Sequence, residues 1–122
     1  VKTTKKQFKA FKKECQKWIK EFGMLGWRFY FDHFKVNDTT SIAWCCFPDK
    51  PEDRVFTLTL NTEIPDYLTD KDILRSAFHE VMEAFIYKIG FLAKARYVQP
   101  EEINEEIHTI IRTLESVVYD NA

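Results

Sequence analysis

Leu74-Arg75-Ser76-Ala77-Phe78-His79-Glu80-Val81-Met82-Glu83-Ala84-Phe85 places apolar residues at the three- and four-residue steps of a helix. Leu74, Phe78, Val81 and Phe85 make the stripe, Ile89 extends it, and Gly90 ends it. Pro65 breaks the chain beforehand and Thr69 or Asp70 can cap, so the pattern predicts a helix over about 70–90. His79 and Glu83 fall one turn apart on the flank of this helix, beside the stripe and not within it. A helix of this kind packs its stripe on a sheet and presents the flank at the sheet's edge.

The segments on either side supply the sheet and the partner helices. Pro100-Glu101-Glu102 is a helix start, with proline and acidic residues where a helix N-terminus tolerates them. The stripe Ile103, Ile107, Ile110, Ile111, Leu114, Val117 and Val118 carries that helix to about 119, and residues 91–99 connect it to the one before. Upstream, Phe8, Phe11, Cys15, Trp18, Ile19 and Phe22 predict a helix over about 4–22, with Thr3 or Thr4 as cap and Gly23 as stop. Residues 27–33, 40–47 and 54–61 read as strands, aromatic-rich or alternating, and Pro48 and Pro51 interrupt pairing between the last two. The expected fold class is α+β: a leading helix, a three-stranded antiparallel meander and two C-terminal helices in one domain over residues 1–122. Ile107, Ile111 and Leu114 are expected to bury against Phe78, Val81 or Phe85, with Trp18, Trp27 and Trp44 in the core.

Composition bounds the function. The chain has 122 residues, of which 45% are apolar, with eleven Phe, five Tyr and three Trp, which argues for a folded domain and against disorder. The formal net charge of -1 gives no global pull toward nucleic acid or an anionic membrane. The lysines from Lys2 to Lys20 read as a solvated helix face; a nucleic-acid accessory role rests on them alone. There is no apolar run near 18 residues and no signal-peptide pattern. Cys15, Cys45 and Cys46 form an odd set with a vicinal pair, a poor disulfide framework, so a reducing, cytoplasmic setting is expected. One of Cys45 and Cys46 should pack in the core, and His33 reads as a surface or partly buried histidine.

The chemistry concentrates in two segments, His79-Glu80-Val81-Met82-Glu83 and Glu105-Glu106-Ile107-His108. Two imidazoles and a carboxylate form a ligand set for zinc, and Glu80 stands free beside the first histidine. Glu80 points about 100° away from His79 around the helix, so it can hold a water that the metal polarises without binding the metal itself. His108 lies just off the stripe of its helix, and antiparallel packing of the two helices would bring it to the His79/Glu83 flank. Glu101, Glu105 and Glu115 lie on nearby faces as substitute ligands or solvated charges. A His/Glu pair at this spacing is also an ordinary helix-surface contact.

Residues 76–83, Ala93-Lys94-Ala95-Arg96-Tyr97 and residues 105–115 together resemble a group of small bacteriophage and prophage zincin-like metallopeptidases. The resemblance extends more loosely through Trp27 and Val55 to Asn61. It implies a minimal zincin core. His79, Glu83 and His108 would hold one zinc per chain, Glu80 would be the catalytic base, and a peptide or protein the substrate. It also implies the cytoplasm of a bacterial host. Where zincins of the ordinary HExxH kind have a second histidine, this chain has Glu83; the added negative charge weakens the metal as a Lewis acid. Arg96 or Arg112 are candidates for stabilising a carboxylate or oxyanion. The rival expectation is a non-catalytic accessory or binding domain with a structural or vestigial site.

Overall fold

The structure, a computed structural model, describes all residues except 25, 37–40, 51–52, 95–98 and 121–122, and the side chains of all of these except 88, 92, 106, 110, 113, 117 and 120. The first helix, α1, spans Lys5–Glu21 and is bounded at both ends by backbone-satisfying motifs. At its start the Gln7 amide donates to the Thr4 hydroxyl and the Thr4 amide to the Gln7 side chain, a capping box. At its end Gly23 takes the left-handed φ of 68°, and the amides of Gly23 and Met24 donate to the carbonyls of Lys20 and Ile19. This is a Schellman stop, and it needs a residue without a Cβ penalty at the glycine. Phe11 and Cys15 are fully buried, while the lysines stay on the exposed face.

Among the described residues three strands form one sheet: β1 (Arg28–Phe34), β2 (Ala43–Cys46) and β3 (Val55–Asn61). The α+β class is as expected, but the antiparallel meander is not what forms. The order is β1-β3-β2, with β1 parallel to β3 and β2 antiparallel to it. Burial gives the reason. β3 buries Phe56, Leu58 and Leu60 toward the helices and also Thr59 and Asn61 from its other row, so it takes the centre. Asn61 fastens the described residues at the two ends of the β1–β2 connection. The Asn61 side-chain amide donates to the Ser41 carbonyl at 2.9 Å, and its oxygen accepts from the amides of Val36 and Glu63 at 3.2 Å each. Asn61→Ala removes these three part-buried bonds to the backbone, and is expected to cost about 2 kcal/mol of stability, read by urea unfolding.

The second helix, α2 (Asp70–Lys94), opens at Thr69, whose hydroxyl and amide both engage Asp72. It continues four residues past Gly90, contrary to the sequence expectation of a stop there. Gly90 stays helical and buried; a Cβ added to it would meet Ile107 Cδ1 at 2.7 Å. The glycine therefore serves close approach of the next helix rather than termination. α2 is covered by α1, the sheet and α3 on three sides, so its buried band is Ile73, Ala77, Phe78, Val81, Met82 and Ala84. Phe85 and Ile89, expected in the core, lie beyond the end of α1 and are 43% and 70% exposed. Phe85 is capped only in part by the rings of Phe22 and Trp27.

The third helix, α3 (Pro100–Glu115), runs into a π-helical turn over Ser116–Asp120. Ile111 is fully buried and Ile107 partly so, but Leu114 is 40% exposed, which corrects its expected burial. The π turn delivers the Tyr119 hydroxyl to the Glu14 carboxylate at 2.5 Å, and the Trp18 indole N–H donates to both. Trp18 and Trp27 pack against the core as expected; Trp44 does not, standing 51% exposed on the sheet face away from the helices. No helix among the described residues is long and apolar enough to cross a membrane.

Candidate metal centre

α2 and α3 bring His79, Glu83 and His108 together. Their donor atoms lie within 4.8 Å of one another. Glu83 Oε1 is 3.6 Å from His79 Nε2 and 2.9 Å from His108 Nε2. Two ligands each about 2.0–2.1 Å from a tetrahedral zinc sit roughly 3.3 Å apart, so these separations bracket what the ion needs. The sequence placed the first two on one helix flank; the third arrives because α3 packs on α2 through Gly90 and Ile107.

Both imidazoles are oriented from behind. His79 Nδ1 lies 2.6 Å from Glu115 Oε1, and Arg75 Nε donates to Glu115 Oε2 at 3.0 Å. His108 Nδ1 donates to the Asn104 carbonyl at 2.8 Å. Each contact holds the proton on Nδ1 and leaves Nε2 facing the centre, the arrangement in which a histidine ligates a metal. Glu115 is thus neither a substitute ligand nor a solvated charge. It is a buried carboxylate that orients His79, and Arg75 neutralises it. Glu101 and Glu105 are exposed on α3. Glu115→Gln keeps the size but weakens the grip on His79; a 10–100-fold loss in zinc affinity is expected in a chelator competition, with the helical content unchanged.

Glu80 sits on the same helix, 6% exposed, at the wall of a cavity of about 540 Å³ that His79, Glu83 and His108 also line. Its Oε2 is buried without a hydrogen-bond partner among the described residues. Burial raises its carboxyl to about 8, helped by the neighbouring Glu83 charge and opposed by His79. An orphaned oxygen at the wall of a ligand-lined cavity is a place for a proton-accepting task, and the donor set beside it fits a divalent ion.

The other titrations describe the metal-free centre. Burial alone would depress His79, but its hydrogen bonds to Glu115 and Glu83 and the charges of Glu80 and Glu83 outweigh it and push it up to about 10. Glu83 and Glu115 are lowered despite their burial, chiefly by the hydrogen bond each shares with His79. The signs then follow. His79 binds its proton more tightly in the folded state, so its contribution is full below 6.5 and lost as pH rises through about 10. Glu80 acts in the same direction between 4.5 and about 8. Glu83 and Glu115 contribute above 4.5 and lose that contribution on acidification. The metal-free protein is therefore expected to melt highest in mildly acidic buffer and progressively lower toward pH 10. Zinc affinity should rise over that range, because its ligands must shed protons. Calorimetry of both forms across pH checks the crossing.

The remaining candidates take other places. Cys45 is buried and lines the cavity, Cys46 is exposed, and Cys15 is in the core; all three thiols are free. His33 stacks on Phe8 and contacts the Thr3 hydroxyl at 2.7 Å, and it does not line the cavity. Arg112 is exposed and does not line the cavity, and Arg96 lies outside the described residues. The residues that sequence reasoning undervalued are Arg75 and the strand wall at 41–47, and only the four-residue step from Arg75 to His79 hinted at the first. Comparison with known protein families, with curated proteins and with solved structures finds no match for this chain.

Proposed function

We propose that the protein is a zinc-dependent hydrolase, a peptidase in class, as the likeness to phage zincin-like metallopeptidases implies. The observation that carries this is the meeting, in one cavity, of a His79/Glu83/His108 donor set and the unpartnered buried oxygen of Glu80. Zinc held by those three side chains would polarise a water molecule and a substrate carbonyl. Glu80, with its unpartnered buried oxygen, would be the group that accepts a proton from water and passes it to the leaving amine. Glu115 and Arg75 keep the His79 ring fixed while charge develops. Ser41, Ile42, Ala43, Trp44, Cys45 and Phe47 form the facing wall. They belong to β2 and its flanks, and β2 has β3 on one side and no strand partner on the other among the described residues. An extended peptide added to that free edge runs directly past the donor set.

The rival, a non-catalytic binding domain with a structural metal, draws on one observation: Glu80 is almost wholly buried and shares a hydrogen bond with Glu83. Elemental analysis of protein purified without added metal, beside His79→Ala, tests the centre. A broad peptide library incubated with the metal-loaded protein tests the reaction. About one zinc per chain with cleavage supports the enzyme. Zinc without cleavage of any peptide supports the binding domain.

A further inference from the structure

The strand wall of the cavity has a pattern of side-chain sizes that the proposed chemistry does not require. In the β2–β3 register Ala43 pairs with Leu60 and Cys45 with Leu58. Cross-strand partners share a face of a sheet, and both leucines are fully buried beneath the helices. Ala43 and Cys45 therefore project toward α2, into the cavity, while Trp44 and Cys46 project to the other side, where both are exposed. The two inward positions of the strand beside the donor set thus carry small apolar side chains, in a sheet whose other inward positions hold the larger Phe29, Phe31, His33, Phe56, Leu58 and Leu60. The space they leave is bounded at one end. Phe47 lies flat against Tyr87, with ring centroids 4.6 Å apart and planes 7° apart, and the Tyr87 hydroxyl donates to the Pro48 carbonyl at 2.9 Å.

The charge of the lining adds a second selection. Glu80 and Glu83 line the cavity, and no lysine or arginine does among the described residues. A carboxylate side chain entering it finds no lysine or arginine to pair with, and an ammonium leaves water for the apolar strand wall.

We propose that this recess is a specificity subsite, resting on the peptidase reading above. A peptide added to the β2 edge turns alternate side chains toward the helices, and the one nearest the donor set enters the space left by Ala43 and Cys45. The substrate class is then an extended peptide with an uncharged aliphatic side chain, of about leucine size, next to the reacting bond. Ala43 sets how large that side chain is.

The test uses short peptide hydroxamates on zinc-loaded protein, with Gly, Leu, Phe or Asp beside the hydroxamate, measured by titration calorimetry. Leu is expected to bind at least tenfold more tightly than Gly or Asp. Ala43→Phe should erase the Leu advantage while zinc content stays as in the parent. Should Ala43→Phe fail to fold, Ala43→Gly should shift the preference from Leu toward Phe. Equal affinity across the series, no binding of any member, or a preference that neither variant moves overturns the subsite. Cleavage of library peptides with no such preference leaves the peptidase standing and the subsite overturned. A Leu preference without cleavage of any peptide leaves the subsite standing and the peptidase overturned.

Discussion

Glu80→Gln is expected to lower peptide turnover by about 10²–10⁴-fold while zinc content, melting temperature and hydroxamate binding stay close to the parent's. The amide matches the carboxyl in shape and fills the same buried position at the cavity wall. What it lacks is the capacity to accept the water proton. Because Glu80 is not one of the three grouped donors, metal affinity should barely move. The parent's own rate should climb with pH as Glu80 becomes able to accept a proton, and this limb should vanish in the variant. A variant that retains full turnover would show that the base lies elsewhere.

Removal of a ligand acts on the other half of the site. His79→Ala, Glu83→Ala and His108→Ala are each expected to cost about 3 kcal/mol of zinc binding, roughly a hundredfold or more, if a zinc-site free energy of about 10–16 kcal/mol is shared among the ligands. His79→Ala should be the most severe, because it also removes the imidazole that Glu115 holds. His108→Ala should in addition loosen α3, whose polar attachment to Glu83 runs through that ring. Chelator competition and elemental analysis read the affinities, and hydrogen exchange along residues 100–115 reads the helix. Metal retained at the parent level in all three would mean the centre is assigned to the wrong side chains.

The donor set was legible in the sequence because its spacing is helical. His79 and Glu83 fall on one flank whatever the helix packs against, and His108 needs only that α2 and α3 run side by side. The helix start at Thr4 and the stop at Gly23 were legible for the same reason: both are satisfied by residues within a turn. The sheet order was not. Strand periodicity fixes which side chains share a face, but not which strand lies between the other two, and the burial of Thr59 and Asn61 that puts β3 there has no counterpart in an alternating pattern. Gly90 reads as a stop unless the partner helix is known to press on it. Glu115 reads as a surface charge until the register of α3 on α2 sets it behind His79. Phe85, Ile89, Leu114 and Trp44 mislead in the opposite sense: their apolar character is real, but no element among the described residues covers them fully.

The split of the donors between two helices has a kinetic consequence. His79 and Glu83 sit one turn apart on α2, which is clamped between α1 and the sheet. An ion meeting those two side chains would need nothing else to move. His108 and Glu115 are both carried on α3, so the packing of one helix both adds the third donor and orients the first. For an ion held at this centre, capture and retention would be separate events. Loading would begin on the two donors of α2, and release would require α3 to yield His108.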